Sequence, residues 1–60
     1  MTRRKCLENA RGRLIAALYQ IEEALNYTDL QSRDSLTNTY NASAFTNDAF
    51  VMIQAGKKMN

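Results

Sequence analysis

The stretch RRKCLENARGRLIAALYQIEEALN, residues 3–26, decides the fold. Leu7, Leu14 and Ile21 recur every seven residues, and Leu18 and Leu25 follow Leu14 and Ile21 by four. Apolar residues at that spacing line one side of an α-helix, so a helix is predicted over about 3–26. With Leu7 at heptad position a, position d reads Ala10, Ala17 and Ala24, and position e reads Arg11, Leu18 and Leu25. Alanines repeating on a seam let a second helix approach near the short end of the usual ~8–10 Å interaxial range. The stretch therefore reads as one half of a close-packed helix pair. Leu7, Ala10, Leu14, Ala17, Leu18, Ile21 and Leu25 are its expected partner or self-association face.

Residues off that seam are less decisive. Ile15 and Tyr19 spread apolar surface around the middle of the helix. Gly12 lies on the side away from the seam. It is either a tolerated surface glycine, costing about 1 kcal/mol relative to alanine, or a point where a partner backbone comes close. Cys6, at position g beside Lys5, reads as a small half-buried hydrophobe, with thiol redox chemistry as the alternative.

Beyond residue 26 the pattern thins. Thr28-Asp29-Leu30-Gln31 fits a capping box and predicts a short second helix over about 29–37. From about 38 to 45 Asn, Ser and Thr dominate, side chains that compete for backbone hydrogen bonds, and a polar connection is expected there. Thr46 as N-cap, Phe45 and Phe50 as a hydrophobic staple, and Gly56 as a left-handed C-terminal residue predict a last helix over about 47–55. A strand through 49–53 is the competing reading of so short an apolar run. Whether the second and third helices are separate or continuous stays open. The expected fold class is all-α: a small helical hairpin or a three-helix unit with a long first helix, one domain over 1–60, completed by self-association or by a partner.

The size of the chain supports that last clause. A 60-residue domain buries only about 60% of the surface its unfolded chain exposes, and small scaffolds generally need a staple. One cysteine excludes an internal disulfide, and a chain without histidine is poorly equipped for zinc. Association remains as a source of further burial. In length and in its alanine and leucine layers the chain resembles the small antiparallel helix-hairpin dimers found among plasmid regulators. That likeness is architectural. It assigns no partner, and a small accessory protein of the kind phages and plasmids encode is an expectation from size and lack of catalytic residues in general, not from these residues.

Catalysis is not expected. Without histidine neither a Ser-His nor a Cys-His nucleophile can be assembled. Glu22 and Glu23 point about 100° apart on a helix, with no partner carboxylate at metal-binding spacing. Gly56-Lys57-Lys58 lacks both the hydroxyl residue and the earlier glycine of a phosphate loop. No cofactor or metal is implied.

Charge is distributed unevenly. Arg3, Arg4, Lys5, Arg11 and Arg13 face only Glu8 in the first thirteen residues, whereas Glu22, Glu23, Asp29, Asp34 and Asp48 face only Arg33 in the middle, and Lys57 and Lys58 follow. Arg3, Arg4 and Lys5, which open the helix, oppose its dipole, so local helix stability does not account for them. Arg3, Arg4, Lys5, Arg11 and Arg13 could meet an anionic partner, and head-to-middle pairing of two copies is equally open. The expected function is a non-enzymatic protein–protein interaction module, a small regulator or inhibitor of a larger protein. Its partners would be a protein or a second copy as homodimer, through the seam face and a second apolar contact at Phe45, Phe50, Met52 and Ile53. The alternative is a nucleic-acid-binding regulator using the basic N-terminal arm. No apolar run approaches the roughly 18–20 residues of a membrane span, and charges interrupt what would be a signal peptide. A cytoplasmic location is expected, with the glycosylation triplets at Asn26 and Asn41 unused.

Overall fold

A computed structural model describes residues 2–59 as two α-helices packed side by side, α1 over Arg3–Leu25 and α2 over Arg33–Lys57. They form an antiparallel hairpin, a rod of 46 × 13 × 11 Å. Of the two arrangements the sequence allows, the hairpin is the one adopted.

The first helix matches its expected range. Its N-cap is Thr2, whose hydroxyl oxygen accepts from the Lys5 N–H at 3.1 Å. At the other end Asn26 donates its N–H to the Glu23 carbonyl at 3.1 Å. Between the helices, Asp29 Oδ1 accepts from the Gln31 N–H at 2.9 Å and the Asp29 carbonyl from the Ser32 N–H at 3.0 Å, a tight polar turn. Ser32 then caps α2, accepting from the Ser35 N–H at 3.2 Å.

The second half differs from expectation. The short helix, the polar connection over 38–45 and the last helix are one continuous helix of 25 residues. The proposed capping box at Thr28 is displaced by Ser32, four residues on. Thr46 is no N-cap but lies inside the helix, with its hydroxyl bonded to the Ala42 carbonyl at 2.8 Å. Thr37 and Thr39 do the same to Arg33 and Ser35, both at 2.9 Å. A hydroxyl bonded to the carbonyl four residues back shares that acceptor with the helix and weakens it only slightly, so a Thr-rich segment can stay helical when a neighbour packs against it. Phe45 and Phe50, five residues apart, point to different sides of α2 and form no staple. Gly56 is helical, since no described residue has a positive φ.

What joins the helices is a stripe of small side chains. Ala10, Ala17 and Ala24 of α1 lie along Ser35, Ala42, Ala49 and Gly56 of α2, both series spaced by seven. Among the described residues these and Cys6 are the buried ones, and none is larger than cysteine. At the loop end Ser35 donates its hydroxyl to the Ala24 carbonyl at 3.1 Å across the seam. At the open end a Cβ on Gly56 would stand 3.3 Å from Cys6 Cβ and 3.8 Å from the Arg3 carbonyl oxygen. Glycine serves there for closeness of approach, not for backbone conformation.

Candidate interaction face

Small residues at the seam push every large one outward, and helix geometry decides to which side. At about 100° per residue, Leu7, Leu14 and Ile21 precede the seam alanines by three and Leu18 and Leu25 follow them by one. All five therefore project on the same flank of α1. On α2, Thr39, Thr46 and Ile53 follow the seam residues by four, and Leu36 and Phe50 by one, which places them on the matching flank. Ile53 of α2 accordingly closes a shallow, largely apolar depression with Leu7, Ala10, Arg11, Leu14, Ile15 and Leu18 of α1.

The result is one broad apolar face running along the hairpin. Leu7, Leu14, Leu18, Ile21, Leu25, Phe50 and Ile53 keep between 37% and 66% of their surface exposed. Thr39 and Thr46 lie among them with their hydroxyls already satisfied by their own helix, so covering them leaves no orphaned donor.

The opposite face is built otherwise. Asn38, Phe45, Met52 and Met59 form a second seven-residue series on α2 and are half-buried. Met52 lies beside Glu8, Asn9, Gly12 and Arg13. The Cys6 thiol is 3.9 Å from Met59 Sδ. Gln20 and Asn41 meet across this side at 3.5 Å. Phe45 and Met52 thus lie away from Phe50 and Ile53, and the four do not form the single second contact expected of them. Likewise Ala10 and Ala17 are enclosed by the chain's own α2, which leaves five of the seven seam-face residues for a partner. The small series at 35, 42, 49 and 56 was missed in the sequence. Its repeat matches that of Ala10, Ala17 and Ala24 and was the available signal.

Folding also reorganises charge. The hairpin brings Lys57 and Lys58 to the end that carries Arg3, Arg4 and Lys5, because Gly56 lies against Arg3 and Cys6. Arg3, Arg4, Leu7, Glu8 and Arg11 line a shallow groove there. Arg11 and Arg13 continue the basic half, offset by Glu8 and Asp48, while the loop half carries Glu22, Glu23, Asp29 and Asp34 against Arg33 alone. Arg4 pairs with Glu8 at 3.8 Å, an exposed pair of little energetic weight. Arg11 and Glu22 make no ion pair among the described residues. Arg11 follows Ala10 by one, as Leu18 and Leu25 follow their alanines, and it lines the apolar depression; Arg4, one seven-residue step earlier, and Glu22, about three turns after Arg11, border the same face.

No described helix is long and apolar enough to cross a membrane. No group of His, Cys, Asp and Glu among the described residues could hold a metal ion. Cys6 is fully buried, which suits the packing role expected of it. Comparisons with protein families, with curated proteins and with solved structures find no match.

Proposed function

We propose that this chain is a non-enzymatic protein-binding module that docks through the face of Leu7, Leu14, Leu18, Ile21, Leu25, Phe50 and Ile53. One observation carries the reading: the hairpin fully buries only small side chains, while Leu7, Leu14, Leu18, Ile21, Leu25, Phe50 and Ile53 stand together, about half exposed, on one side. An alanine methyl contributes roughly 0.8 kcal/mol on burial, whereas a fully buried leucine or phenylalanine contributes about 1.5–3 kcal/mol. The larger share of the available hydrophobic free energy is therefore released only when that face is covered. An exposed contiguous patch of this kind, rimmed by charge, is characteristic of an interaction site.

Leu18→Asp tests the proposal, because it places an unpaired carboxylate in the middle of the face. Affinity for any partner captured from the native host, and any oligomeric mass by light scattering, should fall at least about a hundredfold. Unchanged capture together with unchanged mass would overturn it.

A second reading has its own support, since the open end gathers Arg3, Arg4, Lys5, Arg11, Lys57 and Lys58 on one short rod. Such a cluster would bind nucleic acid through phosphates, with steep salt dependence. A fluorescence titration at low and high salt separates the two, and no binding at low salt removes this alternative.

A further inference from the structure

We infer that the partner covering the apolar face is a second copy of this chain, laid antiparallel, so that α1 meets α1 and α2 meets α2 about one two-fold axis. This rests on the interaction-face reading above and names its occupant. Seven large side chains about half exposed offer on the order of 700 Å² per copy, close to the ~800 Å² per partner of a stable interface. Size alone does not choose a homodimer. Symmetry and charge do.

A two-fold interface must be complementary to itself, each patch meeting its own mirror in sequence. On α1, Leu7 and Leu25 lie nine residues either side of position 16, and Leu14 and Leu18 lie two either side. An axis crossing α1 at that level sets Leu7 against the other copy's Leu25 and Leu14 against its Leu18. On α2, Leu36 and Phe50 lie seven residues either side of Ser43. The bond from Ser35 to Ala24 fixes the register of the hairpin and places Ser43 level with residue 16. One axis therefore serves both helices, and it crosses α2 at a small side chain where backbones can come close.

The charges decide orientation. With the two rods parallel, each basic open end would lie on another and each acidic loop end on another. Antiparallel, basic covers acidic. Arg11, in line with Leu18 and Leu25, stands five residues before position 16, and Glu22, at the border of the leucine stripe, six after. The two-fold brings Arg11 of each copy to within about one residue rise, ~1.5 Å, of the axial level of Glu22 in the other. Both groups lack a partner within their own chain among the described residues, and opposed charges at the rim of an interface set its register and orientation.

Sedimentation equilibrium of the full chain should give twice the 6.8 kDa chain mass. Arg11→Glu or Glu22→Arg alone should weaken the dimer roughly tenfold, and the double exchange should return it to within about threefold of the original. On oxidation, a chain carrying both Arg11→Cys and Glu22→Cys should cross-link between copies, while either single variant should not. Within one helix those positions are about 16 Å apart and cannot bridge. A dimer that ignores the charge exchange, or one in which Arg11→Cys alone cross-links to itself, would overturn the antiparallel arrangement. A helical chain that stays at monomer mass would overturn the second copy as occupant. If Leu18→Asp nonetheless abolished capture of another protein, the interaction-face reading would survive that failure, and if it did not, both would fall.

Discussion

The two broad sides of the hairpin share one seam, yet they end in opposite conditions. On one side α1 supplies the bulk, and Leu7, Leu14, Leu18, Ile21 and Leu25 stand on a helix whose partner offers there only threonine and serine between Leu36 and Phe50. On the other side α2 supplies it, and Phe45, Met52 and Met59 lie half-buried beside α1. The difference lies in the receiving surface. Asn9 and Ala16, both half-buried, leave room on α1 beneath the α2 stripe, whereas on the other side only Ile53 of α2 reaches the leucines, at Leu7, Leu14 and Leu18. One side is closed within the chain. The other leaves its leucines about half exposed.

The largest effect should come from placing charge on the open side. Leu18→Asp should cost association at least about a hundredfold, whereas Gln20→Asp, two residues away on the opposite side, should leave the mass by light scattering unchanged. Equal loss from both would mean that the two sides of the hairpin do not differ. Widening the seam that both sides share is next. Ala49, 1% exposed, has no space for larger residues, and Ala49→Leu should lower stability by about 1–3 kcal/mol in urea denaturation followed by circular dichroism.

A smaller effect of opposite sign is expected on the closed side. Asn38 Nδ2 is buried without a hydrogen-bond partner, at the head of the series that continues through Phe45, Met52 and Met59. Asn38→Leu removes that unsatisfied donor and should raise stability by about 1 kcal/mol. The glycines give the finest discrimination. A Cβ at Gly12 meets nothing within 4 Å, so Gly12→Ala should stabilise by up to about 1 kcal/mol. The same helix gain at Gly56 is opposed by crowding against Cys6 Cβ at 3.3 Å, and Gly56→Ala should fall clearly short of it in the same denaturation experiment.

The first helix and its alanine stripe were legible because leucine and alanine each repeat by seven there, and both periodicity and propensity point to helix. In the second helix those two signals disagree. Asn, Ser and Thr across 37–47 weigh against a helix interior, and only the small series at Ser35, Ala42, Ala49 and Gly56 speaks for one. Its significance comes from the partner it meets, and a reading confined to one segment at a time passes over it. Gly56 illustrates the same limit: glycine near a helix end suggests a terminator, but here it is the narrowest point of the seam. The candidate face was legible in its α1 half. Its α2 half required knowing that Phe50 and Ile53 turn towards the leucines while Phe45 and Met52 turn away, which follows once Ala42 and Ala49 are known to face α1.

Cys6, fully enclosed between Gly56 and Met59, gives the molecule a built-in clock. It is the sole thiol of the chain, and no reagent can touch it until the two termini spread apart. The rate of its alkylation therefore measures how often that end breathes. The same chemistry followed across a dilution series would read whether a second molecule slows the breathing, with no probe added to the protein.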